Sequence, residues 1–196
     1  MKCAGIILAA GASSRMGRPK ALLAYEGETF LDRLAGIFSR TCDEVVVVLG
    51  YHGNALREGA RRPVRFVENP DPDRGMLSSL QCGLRTMADD TGAVLFTPVD
   101  YPAIQESTVA RLIEAMAHKP DALIAIPRHE GRRGHPVACR RLIGEELMAL
   151  PPGGQARDVI RAHRDRTVYV DVDDPGIHID VDDPQAYRRL LAGVGQ

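Results

Sequence analysis

The sequence predicts an α/β fold: a single three-layer α/β/α domain over residues 1–196, built on a mostly parallel, Rossmann-like sheet. Three observations lead there. Short apolar runs alternate with stretches of helical periodicity. The runs lack the in-out alternation of half-exposed strands and read as strands buried on both faces. A chain of 196 residues, 44% hydrophobic, suffices for one well-filled core. No repeat, linker or low-complexity stretch divides it.

The apolar runs lie at 3–9, 44–49, 64–67, 93–96 and 122–126. Between them, Thr29 and Asp32 have capping-box spacing ahead of Phe30, Leu31, Leu34, Ile37 and Phe38. Leu77, Leu80, Leu84 and Met87 form a second apolar stripe. Val109, Leu112, Ile113 and Met116 form a third, at i, i+3, i+4 and i+7. All three read as core-facing helix sides. In the last third, HPVACRRLIGEELMAL (135–150) reads as a short strand then a helix, and PPGGQARDVIRAH (151–163) as a loop then a short helix. RTVYVDV (166–172) and GIHIDV (176–181) read as two strands. Asp183 then caps a final helix with Pro184 at its first position, running through Tyr187, Leu190 and Leu191.

A net charge of -1 gives no reason to expect nucleic acid or a membrane surface as partner. Arginines cluster at Arg61-Arg62, at Arg132-Arg133 and over 161–166, and such clusters read first as solvated surface. Cys3, Cys42, Cys82 and Cys139 show no C-x-x-C spacing. Neither a signal-peptide opening nor an apolar run of membrane length is visible, so reduced thiols in a cytoplasm are expected.

The chemistry concentrates in LAAGASSRMGRPK (8–20). Glycines beside clustered Arg and Lys suggest a loop that approaches phosphate. It is not a P-loop, because five residues separate Gly11 from Gly17 and Arg18 follows. Nor is it the dinucleotide fingerprint, because Ser13 stands where the second glycine belongs. The loop leaves the carboxyl end of the first strand, the edge where open parallel sheets bind ligands. FTPVDYP (96–102) puts Asp100 on that same edge, bracketed by Pro98 and Pro102. Beside a phosphate loop Asp100 becomes a candidate Mg²⁺ ligand, since Mg²⁺ takes one or two carboxylates plus phosphate oxygens and water. HIDVDDP (178–184) offers a second carboxylate from Asp180 or Asp182, which share one face if the segment is a strand.

The loop closely resembles the L-A-[AG]-G-x-[SG]-x-R-M-G-x-x-K signature of nucleotidyltransferases that activate sugars, terpenoid precursors and molybdenum cofactor. RGMLSSLQCGL (74–84), FTPVDYP, GRRGHPV (131–137) and IDVDDPQAY (179–187) follow in the order and spacing of the MobA-like group. Within that group the chain is most similar to the molybdenum cofactor cytidylyltransferases, over nearly its whole length. The resemblance implies that Leu8, Ala9, Ala10 and Gly11 lie near base and ribose, with Ser13, Ser14, Met16 and Gly17 in the wrapping loop. It implies that Arg15 and Lys20 hold the triphosphate and that Gly75, Ser78 and Ser79 face the nucleotide where a helix starts. Asp100 with Asp182 (or Asp180) would bind Mg²⁺, with Mn²⁺ as a substitute, and Arg15, Lys20 and Asp100 would carry catalysis. Arg133, Gly134 and His135 would border the acceptor. The implied partners are CTP or another NTP, a molybdopterin-type phosphorylated acceptor, and a molybdoenzyme or its chaperone.

The implied reaction accounts for the lack of a Ser-His-Asp or Cys-His arrangement. A phosphate monoester, with its second pKa of about 6, is already largely the dianion at neutral pH and needs no general base. Guanylyl-transferring relatives usually carry Gly where this chain has Ala10, which favours CTP through a difference of about 1–3 kcal/mol. The chain departs from the group at PPGGQAR (151–157), which lacks an acidic residue, at Tyr101 and at Asp183. The first departure leaves a sugar phosphate or another phosphorylated metabolite open as acceptor. A non-catalytic nucleotide-binding carrier is the alternative of a different class.

Overall fold

The computed structural model describes residues 1–193. Its strands are β1 (Cys3–Ala9), β2 (Ala24–Tyr25), β3 (Glu28–Thr29), β4 (Glu44–Leu49), β5 (Arg65–Glu68), β6 (Ala93–Pro98), β7 (Ile124–His129), β8 (Arg132–Arg133), β9 (Val137–Arg140) and β10 (Thr167–Asp171). Its helices are α1 (Phe30–Ser39), α2 (Gly53–Gly59), α3 (Met76–Leu84), α4 (Glu106–His118), α5 (Arg141–Ala149), α6 (Ala156–Ala162) and α7 (Pro184–Leu191).

One sheet runs in the order β10-β7-β9-β6-β1-β4-β5, with β8 paired to β7, and β2-β3 make a separate hairpin. β1 lies between β6 and β4 and is parallel to both. Every residue of β1 is buried, and its side chains divide between the two faces. Ile7 joins Phe30, Leu34, Val109 and Leu112 on the side of α1 and α4. Ile6 and Leu8 join Leu80, Leu84 and Ile143 on the side of α3 and α5. This is the three-layer arrangement expected from unbroken apolar runs. The edges β4-β5 and β7-β10 are also parallel, whereas β9 is antiparallel to both β6 and β7. No helix among the described residues is long and apolar enough to cross a membrane.

Local chemistry explains where the elements begin. Thr29 accepts the Asp32 N–H at 3.0 Å, one half of the anticipated capping box. The buried Asp32 carboxylate then divides: Oδ2 accepts the Thr29 hydroxyl at 2.8 Å, and Oδ1 accepts the Arg61 and Arg62 N–H groups at 2.8 and 3.2 Å, tying α1 to the segment before β5. The α3 stripe stops at Leu84, and Met87 packs on the same core from the turn beyond. Asp183 caps α7 by accepting the N–H groups of Gln185 and Ala186, both at 2.8 Å.

The GIHIDV segment is not a strand. It enters a 3-10 turn at Pro175–His178 and then runs extended without joining a ladder. Asp174 dictates this. Its carboxylate accepts the Gly176 N–H at 2.9 Å, and also the Gln105 N–H at 2.9 Å and the Thr108 hydroxyl at 2.6 Å from the start of α4. The segment is thereby held to α4, and Pro175 has no N–H to offer a ladder. The premise that Asp180 and Asp182 share a strand face falls with it.

Candidate active site

The loop after β1 is set by two left-handed residues. Ser13 (φ 51) and Gly17 (φ 69) bend it so that the Met16 and Gly17 N–H groups both donate to the Ser13 carbonyl, at 3.0 and 3.2 Å. The buried Met16 side chain anchors the loop in the core. The Ser13 hydroxyl accepts the Lys20 N–H at 3.1 Å, fixing the far end of the loop. Leu8, Ala9 and Ala10 are buried where the loop leaves the sheet, while Gly11, Ser14 and Arg15 are exposed. Below the loop, Gly50 meets the Ala10 carbonyl so closely that a Cβ would collide with it. Gly50→Ala should therefore cost about 1–3 kcal/mol. An unchanged urea midpoint would contradict that close approach.

Four charged side chains meet across the carboxyl edge of the sheet. Lys20 Nζ donates to Asp100 Oδ2 at 3.1 Å and to Asp182 Oδ1 at 2.6 Å, and Arg15 donates to Asp182 Oδ2 at 3.0 Å. Asp100 stands just past β6, and its carbonyl accepts the Val181 N–H at 2.8 Å, which brings Asp182 alongside. The two carboxylates behave differently. Burial raises the Asp100 pKa, and Lys20 only partly offsets it. The Lys20 hydrogen bond lowers that of the more exposed Asp182, with Arg15 adding to the effect. For Lys20, burial opposes the charge, but the hydrogen bond to Asp182 and the charge of Asp100 outweigh it and raise its pKa.

Asp100 Oδ1 is buried with no hydrogen-bond partner. Among the described residues no group of three or more His, Cys, Asp or Glu gathers to hold a metal. One unsatisfied carboxylate oxygen beside a second carboxylate nevertheless fits Mg²⁺ or Mn²⁺ that completes its shell with phosphate and water.

Gly75 stands at the start of α3, and Ser78 and Ser79 follow as buried residues. Their hydroxyls accept both N–H bonds of the Asn69 amide, at 2.9 and 3.0 Å, and the Ser78 hydroxyl reaches the Gly75 carbonyl at 2.8 Å. Sequence reasoning does not single out Asn69; its position directly after β5, on the same sheet edge as Asp100, is the available signal.

A cavity of about 780 Å³ borders this cluster. Phe96, Ile126, Val137 and Ile177 supply apolar lining, and Tyr101, His135 and Asp180 mark the end nearest Asp100 and Asp182. Arg133, Gly134 and His135 line it, with the His135 N–H donating to the Ile177 carbonyl at 3.1 Å. The His135 ring lies 4.6 Å from the Tyr101 ring, and its Nδ1 is buried without a partner. Burial pushes its pKa down to about 4, so it is uncharged at neutral pH. Burial also drives the Tyr101 hydroxyl up to about 12, helped by the nearby carboxylates. Arg133 lies over the Tyr169 ring at 4.5 Å. Asp180 lines the cavity while Asp182 joins Lys20, so the two carboxylates serve different places. Arg161 and Arg164 are exposed, as their reading as solvated surface expects, and both also line the cavity.

Residues 5–168 match the MobA-like NTP transferase domain. The chain belongs to the MobA-like NTP transferase family. It is 32% identical over 134 residues to the molybdenum cofactor cytidylyltransferase of Escherichia coli (strain K12), covering 67% of each chain. It is 38% identical over 143 residues to the nicotine blue oxidoreductase of Paenarthrobacter nicotinovorans, covering 68% of each. The crystal structure of Rv0371c from Mycobacterium tuberculosis H37Rv superposes with a TM-score of 0.83 at 28% identity, over 97% of each chain. A further structure of that mycobacterial protein is a complex with manganese. The family places a nucleotidyltransferase fold around the loop, as the sequence motifs anticipate.

Proposed function

We propose that this chain transfers CMP from CTP to the phosphate of a molybdopterin-type acceptor, releasing pyrophosphate. The observation that carries the reading is the Lys20-Asp100-Asp182-Arg15 cluster, set between the glycine loop and a cavity large enough for a second substrate. An acceptor phosphate oxygen forms a bond to the α-phosphorus of CTP, and the bond to the β-phosphate bridge breaks, so pyrophosphate leaves with the electron pair. A divalent cation held by Asp100 and Asp182 would neutralise phosphate oxygens. Lys20 and Arg15 turn from the carboxylates to the triphosphate, countering the repulsion between two anionic substrates. His135, uncharged at neutral pH, acts by hydrogen bonding rather than by charge. Ala10 narrows the base site toward a pyrimidine. The product then passes to a molybdoenzyme or its chaperone.

The nicotine blue oxidoreductase at 38% identity favours a second reading, an oxidoreductase on the same fold. That reading gives the carboxylate pair and Lys20 no task. Melting temperature measured with CTP, GTP, ATP and UTP, each with and without Mg²⁺, separates the two. A ligand at 100 times its Kd adds about 2.7 kcal/mol, and the largest shift is expected with CTP and Mg²⁺. A shift with a nicotinamide dinucleotide and none with any triphosphate would favour the oxidoreductase. In the same assay Lys20→Ala should weaken Mg²⁺-CTP at least about tenfold, the worth of one charge-assisted hydrogen bond. Undiminished affinity would remove Lys20 from the triphosphate site.

A further inference from the structure

The cavity beside the cluster is far more basic than one phosphate requires. Five arginines line it, namely Arg132, Arg133, Arg157, Arg161 and Arg164, against the single carboxylate of Asp180. The whole chain carries a net charge of -1, so this excess is local. Several arginines elsewhere are paired with carboxylates. Arg128, on neighbouring β7, is held by both oxygens of Asp171 at 2.6 and 2.8 Å. Within the cavity, the side chains of Arg157, Arg161 and Arg164 make no hydrogen bond or ion pair among the described residues. Arg157 and Arg161 stand four apart on α6, where like charges work against the helix. Arg164 follows in the next 3-10 turn. Asp158 and Asp165 lie on the same two elements, but no ion pair ties either of them to these three exposed arginines among the described residues, so all three guanidinium groups are free to meet an anion.

Size and shape point the same way. The cavity falls within the ~300–1,000 Å³ of small-molecule sites and greatly exceeds a phosphate group. Its lining of Phe96, Val137, Ile160 and Ile177 suits a flat ring system, and Tyr169 carries Arg133 across its face. The end at Tyr101 and Asp180 is the one that adjoins the Lys20 cluster, because the Val181 N–H bonds to the Asp100 carbonyl.

We propose that Arg157, Arg161 and Arg164 form a second anion site, which takes an anionic group that the acceptor carries apart from the phosphate that attacks the nucleotide. The acceptor class is a flat heterocycle with two separated anionic groups. The proposal rests on the cavity being the acceptor site of the transferase reading. It adds Arg161 and Arg164, which lie outside every segment compared with the group, to Arg157 at the end of PPGGQAR, and it excludes acceptors whose only charge is the reacting phosphate.

Rigid probes test it without the true acceptor. Naphthalene-2-sulfonate and naphthalene-2,6-disulfonate present one and two anions on the same flat ring, and their binding is followed by naphthalene fluorescence at physiological salt. The disulfonate should bind about tenfold tighter or better, the worth of an added charge-assisted hydrogen bond. In Arg157→Ala/Arg161→Ala that ratio should collapse toward one while the monosulfonate is held as before. In Arg133→Ala both probes should weaken together. Equal affinities in the parent protein, or a ratio that survives the double substitution, overturns the proposal. The Mg²⁺-CTP melting shift is measured on each variant. It reports folding and the nucleotide half independently, so a failed transferase reading shows as a missing shift whatever the sulfonates do.

Discussion

Asp100→Asn should abolish pyrophosphate release from CTP, by about a hundredfold or more, without weakening the fold. The two halves of that expectation come from the same observation. Asp100 is buried and its Oδ1 has no partner, so the folded chain holds a carboxylate whose charge burial disfavours. Its pKa is raised above the ordinary 3.8 despite Lys20 at 3.1 Å. A group with a raised pKa is stabilising while protonated, below the unfolded value, and that contribution is lost as pH climbs through the folded pKa. At neutral pH the charge is therefore a net cost to the fold, and Asn removes the cost while keeping the size. Lys20 keeps Asp182 at 2.6 Å as its counter-charge. The variant should melt at or above the parent temperature and turn over almost nothing. Retained turnover would remove Asp100 from the chemistry, and a fall of several degrees in melting temperature would make it a structural residue instead.

The sequence makes the sheet centre and the phosphate edge legible because both are local. β1, β4 and β6 are unbroken apolar runs, and the glycine loop and Asp100 follow directly on two of them. What stays hidden depends on distant partners. β9 reads as a short strand, but its antiparallel place between β6 and β7 comes from pairing Val94 with Cys139 and Ile124 with Cys139, which no local pattern records. α2 buries only Leu56, so it has no stripe to announce it. GIHIDV alternates like a strand, yet a carboxylate bonded 66 residues away at Thr108 turns it aside. The site divides the same way. Lys20 and Asp100 are each recognisable alone, whereas which of Asp180 and Asp182 lies beside Lys20 depends on a fold that turns the other to the cavity. The α6 arginines look like surface charge in the sequence and are exposed in the fold, but that they border the cavity depends on α5 and β10, which are separate elements.

That turn after β10 also sets the largest stability effect expected in the chain. Asp174 is 1% exposed, and its two oxygens satisfy three donors: the Gly176 N–H, the Gln105 N–H and the Thr108 hydroxyl. Gln105 is the residue before α4, so the carboxylate also faces the positive end of that helix. Asp174→Ala strands all three donors in the interior, each worth about 1–3 kcal/mol when left unpaired. Water entering the gap would recover part of this, so a loss of about 3–5 kcal/mol is expected. For a chain of this length that is a drop of roughly 10 °C or more in melting temperature. Ile177, Asp180 and Asp182 follow on the same connection, and Gly176 is packed against the Ala103 carbonyl. Loosening it therefore moves both the cavity wall and the partner of Lys20, and the residual folded protein should show weakened Mg²⁺-CTP binding as well. Asp174→Asn tells packing from charge: it keeps the Gly176 bond through its amide oxygen and the Thr108 hydroxyl can turn to accept from its NH₂, but the Gln105 N–H is left facing a donor, so it should lie between Ala and the parent. A melting temperature within about two degrees of the parent for either variant would show that the connection is held by its apolar neighbours and not by Asp174.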